Sequence, residues 1–108
     1  MLDTIYSRRS IRKYQDKPVE KEKIETLLKA AMAAPSAMNF KPWEFVVVTD
    51  QDKLDAIRAS LMFGKFNAPI AIAVCGNTSL FKNPMSAKFW VQDCSAATQN
   101  ILLAAVNL

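Results

Sequence analysis

Arg8, Ser10 and Arg12 stand at alternate positions in the run Arg-Arg-Ser-Ile-Arg-Lys-Tyr that spans 8–14. In an extended segment alternate side chains point the same way, so two guanidiniums and a hydroxyl would converge on one face. Fixed donors carrying positive charge suit a phosphate dianion better than a single carboxylate. Arg9 and Lys13 add to the field. Residues 1–13 hold four cations against Asp3 alone, a net +3 out of +4 for the whole chain. So local a positive charge fits a phosphate, a nucleic acid or an acidic partner, and it equally fits a solvated basic patch. Nucleic acid is the weaker reading, because few aromatics lie nearby (Tyr6 and Tyr14) and the rest of the chain is nearly neutral.

A second group lies in the stretch Pro-Ser-Ala-Met-Asn-Phe-Lys-Pro-Trp at 35–43. Asn39 offers both donors and an acceptor, and the flanking prolines are expected to hold its backbone in a fixed, extended course. Such an amide can read the edge of a heteroaromatic ring. The plainer alternative is a rigid turn that feeds a strand, with Trp43 in the core.

Residue types that are missing narrow the chemistry. The chain has no histidine, which removes Ser-His-Asp, Cys-His and histidine-ligated metal sites. Its two glycines, Gly64 and Gly76, cannot build a phosphate-binding glycine loop. Cys75 and Cys94 match neither a C-x-x-C motif nor a zinc cluster, so no metal site is expected. Chemistry here would have to be carried by a bound cofactor. The start of the chain, MLDTIYSRRS, lacks the apolar centre of a signal peptide, and no stretch approaches the ~20 apolar residues of a membrane span. These features predict a reducing, cytoplasmic setting without membrane association, with both cysteines as buried thiols.

The elements that must position these residues follow from periodicity. With 108 residues and 51% apolar content, the chain is one domain at most. A short helix is predicted at 3–7. Ile24, Leu27, Leu28, Ala31 and Met32 form one helical face from Glu20 onward, and Pro35 ends it. The run 44–49 reads as a strand, and Asp50 as the N-cap of a helix to about Leu61 with Leu54, Ile57 and Leu61 inward. The unbroken apolar run 68–76 predicts a strand covered on both faces. A long helix from about Ala87 carries no charge from Cys94 to Leu108, so it is expected to be buried in a core or against another subunit.

The run R-R-S-I-R-K-Y, then A-A-M-A-A-P-S-A-M-N-F-K-P-W, then the strand E-F-V-V-V resemble the flavin-dependent nitroreductase family in order and spacing. The helix Q-D-C-S-A-A-T-Q-N-I-L-L-A-A resembles that family's long central helix. The likeness extends over nearly the whole chain. It implies an α+β, three-layer α/β/α nitroreductase-like fold with a mixed central sheet, assembled as an intertwined homodimer. It also implies FMN as cofactor and NAD(P)H as electron donor. Arg8, Arg9, Ser10 and Arg12 would grip the phosphate and ribityl end, while Pro35, Ser36 and Asn39 would meet the isoalloxazine from the partner subunit. Lys41 stands where many members have Gln. No protein residue is needed as a catalytic group, since the flavin carries the chemistry.

The implied activity is ping-pong reduction of nitroaromatic, quinone or related conjugated small molecules. The alternatives are another flavin reaction on this fold, such as reductive dehalogenation, or a non-enzymatic basic binding module. Because residues 104–108 remain inside an apolar helical pattern without a capping signal, residues 1–108 are expected to be the front portion of a single longer FMN-binding domain, cut at its C-terminal end.

Overall fold

The computed structural model describes residues 1–81 and 83–108. Local signals set most element boundaries. Helix α1 covers Leu2–Ser7, and α2 covers Lys21–Met32. A single 3-10 turn follows at Ala37–Asn39, leading into strand β1, Trp43–Val48. Helix α3, Gln51–Ser60, starts where expected, because the Asp50 carboxylate accepts from the Lys53 N–H at 3.1 Å. Strand β2 is Ala71–Gly76. Helix α4 runs the 23 residues Pro84–Val106, opened by Asn83, whose side chain accepts from the Met85 N–H at 2.8 Å. Pro84 in the first turn loses nothing, since that N–H has no helical partner anyway.

The chain is α+β, as expected. Strands β1 and β2 pair antiparallel, with Trp43 opposite Gly76 and Val48 opposite Ala71. Among the described residues the sheet is this pair, and no parallel pairing of the expected mixed sheet is made. Helix α4 packs against α2, both strands, the 3-10 turn and α1. Its most extensive packing is with α2, and Ala31 on α2 and Ala97 on α4 are both fully buried. Trp43, Ala34 and Cys94 complete the buried cluster, with Phe45, Val74, Trp90 and Ile101 against it. The Asn100 amide donates to the Ala30 carbonyl at 2.9 Å, tying the two helices where α2 ends. Trp43 is therefore core, as the plainer reading of its loop held.

Three packing expectations need correction. Strand β2 is not covered on both faces: Ala73 and Cys75 are exposed while Ile72 and Val74 are partly covered, because an antiparallel pair packs one face on α4 and leaves the other open. Cys75 is thus an exposed thiol, and only Cys94 is buried. On α3 only Leu54 is buried, whereas Ile57 and Leu61 are about four-tenths exposed. The uncharged end of α4 is covered by this chain on one side, and Leu102, Val106 and Leu108 are exposed on the other, which leaves that face open to another subunit as one of the two expected covers. Total accessible surface is 7823 Å², against about 6,000 Å² for a compact monomer of this mass. Many large apolar side chains are exposed, among them Met62, Phe63 and Leu2. Among the described residues no helix is long and apolar enough to cross a membrane.

Gly76 is required by a close approach. A Cβ placed there would overlap the Trp90 indole, which stacks on Phe81 with ring centroids 5.9 Å apart. Gly76→Ala is expected to lower stability by about 1–3 kcal/mol through overpacking. Urea unfolding measures it, and an unchanged midpoint would mean that Trp90 moves aside freely.

Candidate functional site

The basic run leaves α1 in an extended direction at Arg8 and forms no regular strand. Arg8, Arg9, Ser10 and Arg12 nevertheless line one open cleft of about 690 Å³, together with Ser7, Ile11, Tyr14, Phe66, Leu102, Ala105 and Val106. The strict alternation expected from the sequence is absent, since Arg9 and Ile11 line the cleft as well. Two of the guanidiniums have local tasks. Arg9 donates to the carbonyls of Tyr6 and Arg8 at 2.7 and 2.8 Å, closing the end of α1. Arg12 reaches the Ser10 carbonyl at 3.4 Å, a long contact that leaves most of its donors unused. Among the described residues none of Arg8, Arg9 and Arg12 forms an ion pair with a carboxylate.

The cleft is therefore amphipathic, with cationic donors along one wall and Leu102, Ala105 and Val106 along the other. Tyr14 and Phe66 meet edge to face at 6.4 Å and complete its lining. A phosphorylated ligand with an apolar body matches both walls.

Pro35, Ser36 and Asn39 do not line this cleft. Their loop lies against α4 around Asp93, and at 1.5 Å rise per residue Asp93 and Ala105 are about 18 Å apart along the helix. The loop is also not extended. Met38, Asn39 and Lys41 have φ of 56°, 58° and 50°, all left-handed. Asparagine tolerates that region; for Met and Lys it costs roughly 1 kcal/mol or more each. Hydrogen bonds hold the turn together: the Asn39 N–H donates to the Ser36 carbonyl at 3.0 Å, and the Lys41 N–H to the Ser36 hydroxyl at 3.0 Å. The Ala37 N–H donates to the Asp93 carboxylate at 2.9 Å. Ser36 thus has a visible structural task, and Asn39 stands exposed at the turn.

Asp93 was not picked out by sequence reasoning. It is 5% exposed, and its second carboxylate oxygen is buried without a partner among the described residues. The available signal was its position as the last charge before a wholly uncharged helical stretch. Next to it, Cys94 has its thiol pushed above the ordinary value of 9.0, by burial first, then by the Asp93 charge and Cys75. A raised thiol value means that the folded chain keeps a proton the unfolded chain has already lost. That contribution is intact below about pH 9 and disappears as pH rises further. Cys94→Ala is expected to flatten this alkaline loss of stability. Unfolding midpoints of both proteins between about pH 7 and 10 test it, and parallel curves would contradict it.

Residues 5–65 match the profile of the nitroreductase family. A protein from Archaeoglobus fulgidus, named as a candidate NADH dehydrogenase/NAD(P)H nitroreductase, is 53% identical over 96% of this chain and 60% of its own length. The crystal structure of a protein of the same description from Parabacteroides distasonis superposes with a TM-score of 0.88 at 50% identity, covering 98% of this chain and 61% of that one. An FMN-dependent nitroreductase from Clostridium difficile superposes at 0.83 with 40% identity, covering 99% and 61%. The chain thus spans about six tenths of the length of the relatives it matches. These likenesses bear out the expected α+β nitroreductase-like fold.

Proposed function

The chain belongs to the nitroreductase family, and from that premise we propose that it binds FMN and serves an NAD(P)H-dependent flavin oxidoreductase of the cytoplasm. The observation that carries this reading is the cleft with three arginines unpaired by any described carboxylate on one wall and an apolar helix face on the other. Bound FMN would supply the redox chemistry, taking a hydride from NAD(P)H and passing two electrons to a nitroaromatic, quinone or related conjugated acceptor in the same space, a ping-pong sequence.

The chain's own residues bind and orient. Arg8 and Arg12 bring charge-assisted donors to a phosphate, and Ser10 adds a hydroxyl. Arg9 holds the end of α1, so that the run 8–12 leaves the helix in one direction. Leu102, Ala105 and Val106 offer apolar surface to the body of the ligand. Pro35, Ser36 and Asn39 act from a partner subunit in an intertwined homodimer, Asn39 by offering its amide to the edge of the ring. The distance along α4 between the cleft and the loop supports that division, as does the exposed apolar surface of α4.

Three measurements test this. Arg12→Glu replaces a donor with repulsion and is expected to weaken FMN binding by on the order of 2–4 kcal/mol, with Arg8→Ala smaller and of the same sign. Titration of apo-protein with FMN decides it, and unchanged affinity would remove the assignment. Sedimentation at low concentration is expected to show flavin-bearing dimers; a flavin-bearing monomer would refute the shared site. Steady-state oxidation of NADH and NADPH with a nitroaromatic and quinone panel checks the activity, for which parallel double-reciprocal lines are expected.

A further inference from the structure

The turn at Ala37–Lys41 has three left-handed residues that are not glycine, and two of them have no intrinsic preference for that conformation. Something outside the turn must hold it there. Its internal hydrogen bonds close it on itself but do not fix it to the body of the fold. The one described side-chain hydrogen bond that does so is from the Ala37 N–H to the Asp93 carboxylate, 56 residues away in sequence. Asp93 is nine-tenths buried on the long helix, so its position is set by the core, and its other oxygen has no described partner. A buried carboxylate costs free energy unless it is well bonded, and an apolar side chain would serve packing alone better. The arrangement fits a group retained for what it holds.

We propose that Asp93 is a positioning residue: it fixes the left-handed turn Ala37–Lys41 to α4 and thereby sets how Asn39 is presented. The link to FMN rests on the flavin reading above; the holding of the turn does not. Asp93 acts through the backbone of Ala37 and not by contact with a ligand.

The test uses the full chain with Asp93→Ala, Asp93→Asn and Asn39→Ala, and Asp93→Ser stands in for Asp93→Ala if that variant fails to fold. In ligand-free protein, amide hydrogen exchange at Ala37 is expected to be slow in wild type and Asp93→Asn, which keeps an acceptor facing Ala37. In Asp93→Ala it should become fast, while the amides of α2 and α4 keep their protection. Equal loss of protection across the whole fold, or no change at Ala37, would overturn the proposal. With FMN, Asp93→Ala is expected to weaken binding about tenfold, as the loss of one hydrogen bond implies, and to alter the visible spectrum of the bound flavin as Asn39→Ala does. Adding Asp93→Ala to Asn39→Ala should then cost little more, since both act through one contact. Fully additive losses would overturn the link from Asp93 to Asn39. If wild type takes up no FMN while the Ala37 amide behaves as described, the flavin reading falls and the positioning role stands.

Discussion

The packing of α2 on α4, with Ala31 and Ala97 in its buried cluster, is the constraint on which the rest of the chain depends. Both residues are fully buried, and their small side chains let α2 and α4 approach closely. That approach seals Trp43 and Cys94 into the same cluster, which in turn fixes the start of β1. A larger side chain at either alanine would part the helices and open the core, for which few other fully buried residues exist to compensate. Because α4 spans 23 residues, it carries this single anchoring point to both ends of the molecule. Its middle holds the 37–41 turn through Asp93. Its end forms one wall of the arginine cleft, and Asn107 reaches the Thr4 hydroxyl of α1 at 3.4 Å. One helix therefore sets the position of both groups of candidate site residues and keeps them apart.

What could be read in the sequence was what is decided locally. The face of α2 follows from its own spacing, and the start of α3 from one aspartate three residues ahead of the N–H it caps. The arginine run was legible because charge needs no fold to be noticed. What failed was decided at a distance. The apolar run of β2 says that the strand is buried but not on which face, so Cys75 was misplaced. Strand direction depends on the path of the intervening chain, and 49–70 does not disclose it. Asn39 was expected in an extended stretch because of Pro35 and Pro42, yet its φ of 58° is set by hydrogen bonds within the turn and by a carboxylate on another helix. No local propensity of Met38 or Lys41 could have announced that.

The two halves of the candidate site also differ in how they are kept ready. The 37–41 turn is preorganised: its strain is balanced by bonds that persist without a ligand, so little ordering remains to oppose binding. The arginine run is not. It has no regular ladder, and its guanidiniums are held by carbonyls of their own segment or left to solvent. Like charges crowded within five residues repel one another, and water screens that repulsion only while the cleft is open. An anion that enters the cleft relieves the repulsion and orders the segment together, so binding there combines a favourable Coulomb gain with an entropic cost.

On the proposed reading, the same geometry would tie ligand binding to assembly. Leu102 and Val106 line the cleft and are also among the exposed apolar residues of this chain. Whatever covers that face of α4 lowers the local dielectric around the arginines. Lower dielectric strengthens their attraction for a bound anion and raises the cost of leaving them unpaired. Covering the face without an anion is thus penalised, and seating an anion without the cover leaves the apolar wall wet. Each event favours the other, and by linkage the effect is equal in both directions. A fold that places its cations beside its uncovered apolar surface couples the two by that placement alone, with no conformational switch required.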